Sequence, residues 1–257
     1  MSAVIVFPLF YCFSLSMMKP GEIFHYPPQI LPSNLYLGNY VELFHTIPIF
    51  RFLFNSFLIS VIITLSKIIL DSMAAYSFAF FHFKGRNVLF LFILATYMIP
   101  QEAIVVANFL TIAQLKLLDT LTAVVLPNLV SAVGIFIMRQ YFLTLPKELK
   151  EASMMDGCGS FRFLTRIALP LSKTAVASLA IYEFVVSWNM YMWPLLVTNS
   201  VENRTAQVGI SMLNFVDAKS YGLSVAGVVM VLLPALAVFM LGKESIVQGM
   251  TAGAVKG

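Results

Sequence analysis

Residues 143–173 read LTLPKELKEASMMDGCGSFRFLTRIALPLSK, a stretch too polar to cross a membrane although apolar runs flank it on both sides. Pro146 suits a first helical turn, where a missing N–H loses no bond. Lys147 to Met155 is a run of good helix formers, and Gly157 and Gly159 stop it. A second short helix is expected from Phe161 to Pro170, where the chain turns back towards the next apolar run. The pattern predicts a helical hairpin between two spans. Such a hairpin serves either to pass force to a soluble partner or to rest on lipid headgroups.

The flanking runs follow from composition. Of 257 residues, 60% are hydrophobic and 11% are Asp, Glu, Lys or Arg, against about 45–50% and about 25% in soluble domains. With a mean hydropathy of +0.88, the chain has too little polar surface to coat a globule of its size. A disordered chain is excluded, and a soluble enzyme largely so. The fold class is all-α, a polytopic membrane protein with about six spans of about 20 residues each. The expected spans are residues 1–18, Phe52 to Phe81, Val88 to about Leu110 (bent by Pro100), Leu121 to Phe142, Ala175 to Val197, and Tyr221 to Gly242. The first is short and lacks a signal peptide's basic start and cleavage site, so it reads as a helix whose natural beginning lies upstream. Residues 19–51, rich in Pro, Tyr and Asn, read as an irregular external loop. Residues 52–242 form the core with the hairpin at 143–173, and 243–257 form a tail.

Basic residues orient the chain. Lys84, Arg86, Arg139, Lys147, Lys150, Arg162, Arg166, Lys173, Lys243 and Lys256 fall on one side, and Lys19, Arg51, Lys116, Arg204 and Lys219 on the other. The richer side, with both termini, is placed in the cytoplasm by the positive-inside rule. The net charge of +4 is therefore a topology signal and not a nucleic-acid-binding face. Cys12 and Cys158 are far apart and His25, His45 and His82 are scattered, so no metal site can be drawn. No catalytic triad can be assembled, and Gly242-Lys243-Glu244-Ser245 lacks the glycine-rich lead-in that cradles phosphates.

The hairpin carries a more specific pattern. Glu151-Ala152-Ser153, three residues, Gly157, nine residues, then Ile167-Ala168-Leu169-Pro170 resembles the EAA loop of ABC-importer permease subunits, with Ser153 in place of the second Ala. The resemblance extends over nearly the whole chain and points to the carbohydrate branch, of the maltose and glycerol-3-phosphate type. It rests on Asn55-Ser56-Phe57, Ala74-Ala75-Tyr76-Ser77-Phe78, and the turn Phe83-Lys84-Gly85-Arg86 with Lys in place of the family's Pro. Leu118-Asp119-Thr120, Trp188-Asn189-x-Tyr191-x-Trp193-Pro194 and the tail Gly249 to Gly257 (GMTAGAVKG) add to it.

The resemblance implies a coupling helix seated in a cleft of an ATPase subunit, with Glu151, Ala152, Ser153, Asp156, Gly157, Ile167, Leu169 and Pro170 as the coupling residues. Small Ala152 and Ser153 would permit close approach, and Glu151 would meet a basic group. Gly249, Thr251, Gly253 and Lys256 in the tail would also reach the ATPase. The implied partners are a second permease subunit, an ATPase dimer that binds ATP and Mg, an extracellular solute-binding protein and the bilayer. This chain itself would bind no cofactor. The implied location is a bacterial-type inner membrane, and the implied cargo a sugar, polyol or glycerol phosphate.

Ionisable groups inside spans are functional candidates by default. Lys67 and Asp71 stand four residues apart and can pair on one helix face; Glu183 has no partner within its own helix. Trp188, Asn189, Tyr191 and Trp193 combine aromatic faces with hydrogen-bonding groups, which suits a sugar. Asn189, Tyr191, Glu183 and Trp188 are the candidate substrate-pathway residues. For the two Trp, an interfacial aromatic belt is the preferred reading. Gly134, Gly222 and Gly227 read as points of close helix packing. The rival from another class is a stand-alone ion-coupled transporter with Lys67, Asp71 and Glu183 as relay. It has no need of the hairpin.

Overall fold

The computed structural model describes residues 2–213 and 218–252; among them are helices and turns but no strand. In chain order the α-helices are α1 (Ser2–Ser16), α2 (Pro20–Ile23), α3 (Gly38–Thr46), α4 (Ile49–Phe80), α5 (Arg86–Tyr97), α6 (Gln101–Gln114), α7 (Leu121–Val125), α8 (Ala132–Phe142), α9 (Lys147–Met155), α10 (Ser160–Phe163), α11 (Leu169–Leu171), α12 (Lys173–Trp188), α13 (Met192–Val197), α14 (Ala206–Ser211) and α15 (Ala218–Ala252). The chain forms two compact units, residues 1–58 with 189–237 and residues 59–188 with 238–257.

Two segments, Ile49–Phe80 and Tyr221–Gly242, are long and apolar enough to cross a membrane unaided. Three more crossings arise only if bent pairs are counted as one span each: α5 with α6 (95°), residues 121–128 with α8 (45°), and residues 160–171 with α12 (83°). Val4–Ser16 in α1 is a shorter apolar helix. The bend expected at Pro100 is present as the break between α5 and α6, whereas the spans expected at 121–142 and 175–197 are interrupted at residues 129–131 and 189–191.

Proline supplies the physical reason. A ring nitrogen cannot donate to the carbonyl four residues back, and the ring collides with that carbonyl. Pro100 therefore stands at the N-cap of α6, where the chain bends by 95°. Pro127 lies in a 3-10 turn, Leu126–Asn128. Pro194 sits in the first turn of α13, so α12 ends at Trp188 and the chain leaves helix before restarting. Residues 19–51 are also more ordered than an irregular loop, because α2, α3 and the first residues of α4 lie within them.

In the unit built from residues 1–58 and 189–237, side-chain amides close the chain's open ends. The Asn39 carboxamide donates to the carbonyls of Ser16 and Met18, each at 2.9 Å, finishing α1. Asn55 donates to the carbonyls of Glu202 (2.8 Å) and Arg204 (2.9 Å), and the Ala206 amide donates to Ser56 Oγ at 2.9 Å. Asn55-Ser56 thus holds the 201–206 turn. Gly222 gives room to the Asn39 carboxamide and Gly227 to Ile210.

In the unit built from residues 59–188 and 238–257, the buried core draws on α4, α5, α8, α10, α12 and the turn after α10. Tyr76, Phe78, Phe90, Met138, Phe142, Phe163 and Leu179 are its larger members. α8 approaches α4 so closely that a Cβ on Gly134 would meet the Asp71 carboxylate. Packing that rigid resists even one added carbon. We expect Gly134→Ala to cost about 1–3 kcal/mol through overpacking, read as a lower unfolding temperature of the detergent-solubilised protein. An unchanged transition would show that α8 does not pack this way.

Candidate functional site

The hairpin begins at α9, with Pro146 at its N-cap. At its far end the Cys158 amide donates to the Ser153 carbonyl (2.9 Å) and the Gly157 amide to the Met154 carbonyl (3.0 Å). Gly157 has φ +73°. This pair of bonds around a left-handed glycine is the Schellman termination, which satisfies the helix's orphan carbonyls and turns the chain sharply. The return limb runs through α10, a π-helical turn at Leu164–Ala168 and α11. A π turn widens the helix by one residue per turn and recurs at functional positions.

The expected coupling residues divide between two faces. Glu151, Ala152, Asp156 and Gly157 are exposed, as is Pro170. Met155, 90% exposed, and Met154 extend the outward face with apolar surface. Ile167 and Leu169 turn inward and pack against the core. Ser153, paired with Ala152 in the sequence reading as a small residue for a partner's approach, is instead 6% exposed, and its hydroxyl donates to the Lys150 carbonyl at 2.8 Å.

Lys150 was not singled out by sequence. Its ammonium donates to the Phe80 carbonyl at 3.0 Å, at the carboxyl end of α4. It also lies over the rings of Phe81 (5.0 Å), Phe80 (5.4 Å) and Tyr76 (5.7 Å). Burial pushes its pKa below the ordinary lysine value. Two arginines serve the same helix end: Arg86 donates to the Phe81 carbonyl at 3.0 Å, and Arg139 to the Phe78 carbonyl at 3.4 Å while covering the Phe90 ring at 4.1 Å. The last carbonyls of a helix are unpaired and carry partial negative charge, so each cation there contributes about 0.3–1 kcal/mol, more where partly buried.

The intramembrane polar residues pair differently from the sequence expectation. Lys67 bonds Glu183 of α12 at 2.7 Å rather than Asp71 on its own helix. Asp71 Oδ1 instead accepts from the Ser131 amide at 3.0 Å. That amide lies where the chain breaks before α8. Ser131 Oγ accepts in turn from the Gly134 amide at 3.2 Å, capping α8. The in-helix order Lys before Asp was the weaker arrangement for pairing, and each group found a better partner on another helix.

Trp188 is 2% exposed and stacks on Phe184 at 5.8 Å, so the preferred belt reading is corrected for it: a belt tryptophan faces lipid. Asn189 is exposed, Tyr191 is 41% exposed, and both stand in the break between α12 and α13. Glu183 and Trp188 belong to one compact unit, Asn189 and Tyr191 to the other. α15 runs through Gly249 and Thr251; Gly253 and Lys256 lie outside the described residues. No group of three or more His, Cys, Asp or Glu able to hold a metal occurs among the described residues.

Comparison with known proteins places the chain. Residues 68–243 match the family model described as binding-protein-dependent transport system inner membrane component. The chain is 35% identical to the sn-glycerol-3-phosphate transport system permease protein UgpE of Rhizobium meliloti (strain 1021) over 256 residues, covering 96% of this chain and 91% of that protein. It is also 35% identical to the arabinooligosaccharides transport system permease protein AraQ of Bacillus subtilis (strain 168), over 261 residues and 92% of that protein. Its fold is similar to a chain in the crystal structure of a bacterial ABC transporter involved in import of the acidic polysaccharide alginate. That similarity has a TM-score of 0.84 at 21% identity and covers 95% of this chain and 91% of the other.

Two outcomes are expected from the hairpin and the ion pair. A Cβ at Gly157 meets nothing within 4 Å, so Gly157→Ala costs only the left-handed backbone penalty of about 1–2 kcal/mol, and Gly157→Asn costs less. Amide exchange at the end of α9 reads this; equal exchange in all three proteins would disprove it. Lys67→Met strands the Glu183 carboxylate and should cost about 3–5 kcal/mol, whereas adding Glu183→Gln should recover much of it. Unfolding temperatures that fail to recover in the double variant would contradict the pairing.

Proposed function

The chain belongs to the family of binding-protein-dependent transport system inner membrane components, and from that premise we propose that it is one of two membrane-spanning subunits of an ATP-driven importer for a sugar, polyol or glycerol phosphate. A binding protein outside delivers the solute. ATP and Mg bind on a separate ATPase dimer, whose closure displaces the hairpin and switches the membrane subunits between inward- and outward-facing access. The chain makes and breaks no covalent bond. Both termini and the hairpin lie on the cytoplasmic side, in keeping with the basic residues gathered there.

The observation that carries this reading is the two-faced hairpin. Its outward face offers Glu151, Ala152, Met155 and Asp156 to a partner, while Ile167 and Leu169 bind its return limb to the core. A carboxylate beside apolar surface suits a cleft with a basic wall. Pro170 and Gly157 shape the two turns. Force applied to a rigid element coupled to a packed core yields a two-state rearrangement rather than local bending. The tail residues Gly249, Thr251, Gly253 and Lys256 are proposed to reach the same ATPase.

For the cargo, relatives named for sn-glycerol-3-phosphate and for arabinooligosaccharides stand at equal identity, and the chemistry they share is a hydroxyl-rich solute. Asn189 and Tyr191, exposed at a helix break, are the proposed pathway groups of this chain: an amide and a phenol pair well with hydroxyls. The buried Glu183 and Trp188 serve as structure within their own unit. An ion-coupled carrier using Lys67, Asp71 and Glu183 is not favoured, because those groups are engaged by α12 and by the amide before α8.

The test co-expresses the chain with its companion permease, ATPase and binding protein. Glu151→Ala removes a charge-assisted contact and should weaken ATPase retention by about 10- to 100-fold, with uptake falling in parallel. Full uptake and full retention in Glu151→Ala would sink the coupling assignment. Titrating the binding protein with sugars, polyols and glycerol-3-phosphate selects the cargo.

A further inference from the structure

We propose that Lys150 is the positioning residue that fastens α9 to the carboxyl end of α4, so that displacement of the hairpin is delivered to α4 and onward to Lys67 and Asp71. The inference rests on reading α9 as the helix that engages the ATPase. Among the described residues, the Lys150 ammonium on the Phe80 carbonyl is the polar bond that α9 makes outside its own hairpin. Three aromatic rings lie within 5.0–5.7 Å of that ammonium, and partial burial strengthens both the bond and the cation–ring attraction. Glu151, the next residue, points outward. One turn of helix therefore carries the outward contact and the inward tie side by side.

The receiving helix is suited to the task. α4 is continuous from Ile49 to Phe80, whereas several other apolar segments are broken. Nine residues before Phe80 it carries Asp71, bonded to the break before α8, and thirteen before it carries Lys67, bonded to α12. A pull on Phe80 reaches both contacts along hydrogen-bonded backbone. Arg86 and Arg139 also serve this helix end, but from α5 and α8. They brace α4 without linking it to the hairpin.

The experiment reconstitutes the four-component importer in lipid vesicles and measures solute taken up per ATP hydrolysed, together with ATPase co-purification. Lys150→Met keeps the stem among the rings and removes charge and donor. It should retain the ATPase while uptake per ATP falls by about fivefold or more, the scale of a lost coupling between sites. Lys150→Arg should restore the ratio, and Lys147→Met, an exposed charge on the same helix, should leave it unchanged. Arg86→Met should lower the unfolding temperature without lowering the ratio. Where Lys150→Met is not recovered as folded protein, Lys150→Leu, which also lacks charge and donor, takes its place with the same expected loss. A normal ratio in Lys150→Met, an equal loss in Arg86→Met, or release of the ATPase by Lys150→Met would each overturn the proposal. If Lys150→Met alone is silent while Glu151→Ala uncouples, the link fails and the hairpin reading stands. If Glu151→Ala is also silent, the hairpin reading fails with it.

Discussion

Lipid offers no hydrogen bonds, so every backbone amide and carbonyl that a broken helix exposes must find its partner inside the protein. This chain breaks its apolar segments repeatedly and depends on meeting that constraint each time. At the break before α8, the partner is a carboxylate sent from α4: Asp71 takes the Ser131 amide, and Ser131 takes the amide of Gly134. At the break before α6, the last turn tightens, with the amides of Met98 and Ile99 donating to carbonyls three residues back. Pro100 then follows with no amide to satisfy. An intramembrane charge obeys the same accounting, and Lys67 and Glu183 cancel each other across two helices.

The carboxyl end of α4 shows the constraint applied at a helix terminus. Phe78, Phe80 and Phe81 each give a carbonyl to a cation from a different element; the Phe80 and Phe81 rings also lie against the Lys150 ammonium, and the Phe90 ring lies under Arg139. At Lys150 the aromatic side chains and the unpaired carbonyl together form one receptor for an ammonium group. The basic residues that orient the chain by the positive-inside rule are in part the same residues that finish α4.

Composition alone is enough to read the apolar, helical character of the chain, and the residues from Pro146 to Gly157 are enough to read α9 and its glycine stop. The broken spans were only half legible. Pro100 signals its bend, and Pro127 and Pro194 also stand where a helix ends or restarts; the first-turn preference of proline is the signal that marks all three. The pairing of Lys67 was not legible at all. Its partner lies 116 residues away, and the spacing to Asp71 offered a local answer that the fold does not use. Trp188 misled for a similar reason: proximity to a span's end suggests an interface, but burial is decided by neighbours that sequence does not display. Lys150 lay in plain sight within the hairpin, masked because charges on a polar loop are ordinarily solvated.

The uninterrupted helix between Phe80 and Lys67 has a geometric consequence. At 1.5 Å per residue the two are about 20 Å apart along the axis, so a tilt of about 5° pivoting at Phe80 sweeps Lys67 sideways by about 1.7 Å. The ion pair of 2.7 Å follows such a displacement only by stretching, by a new rotamer of the flexible Lys67 stem, or by movement of α12 with α4. Lys67 and Glu183 therefore favour one inclination of α4 over its neighbours, with a bias that grows as the helix tilts. The charges that make the membrane interior costly to occupy are also what makes this inclination well defined.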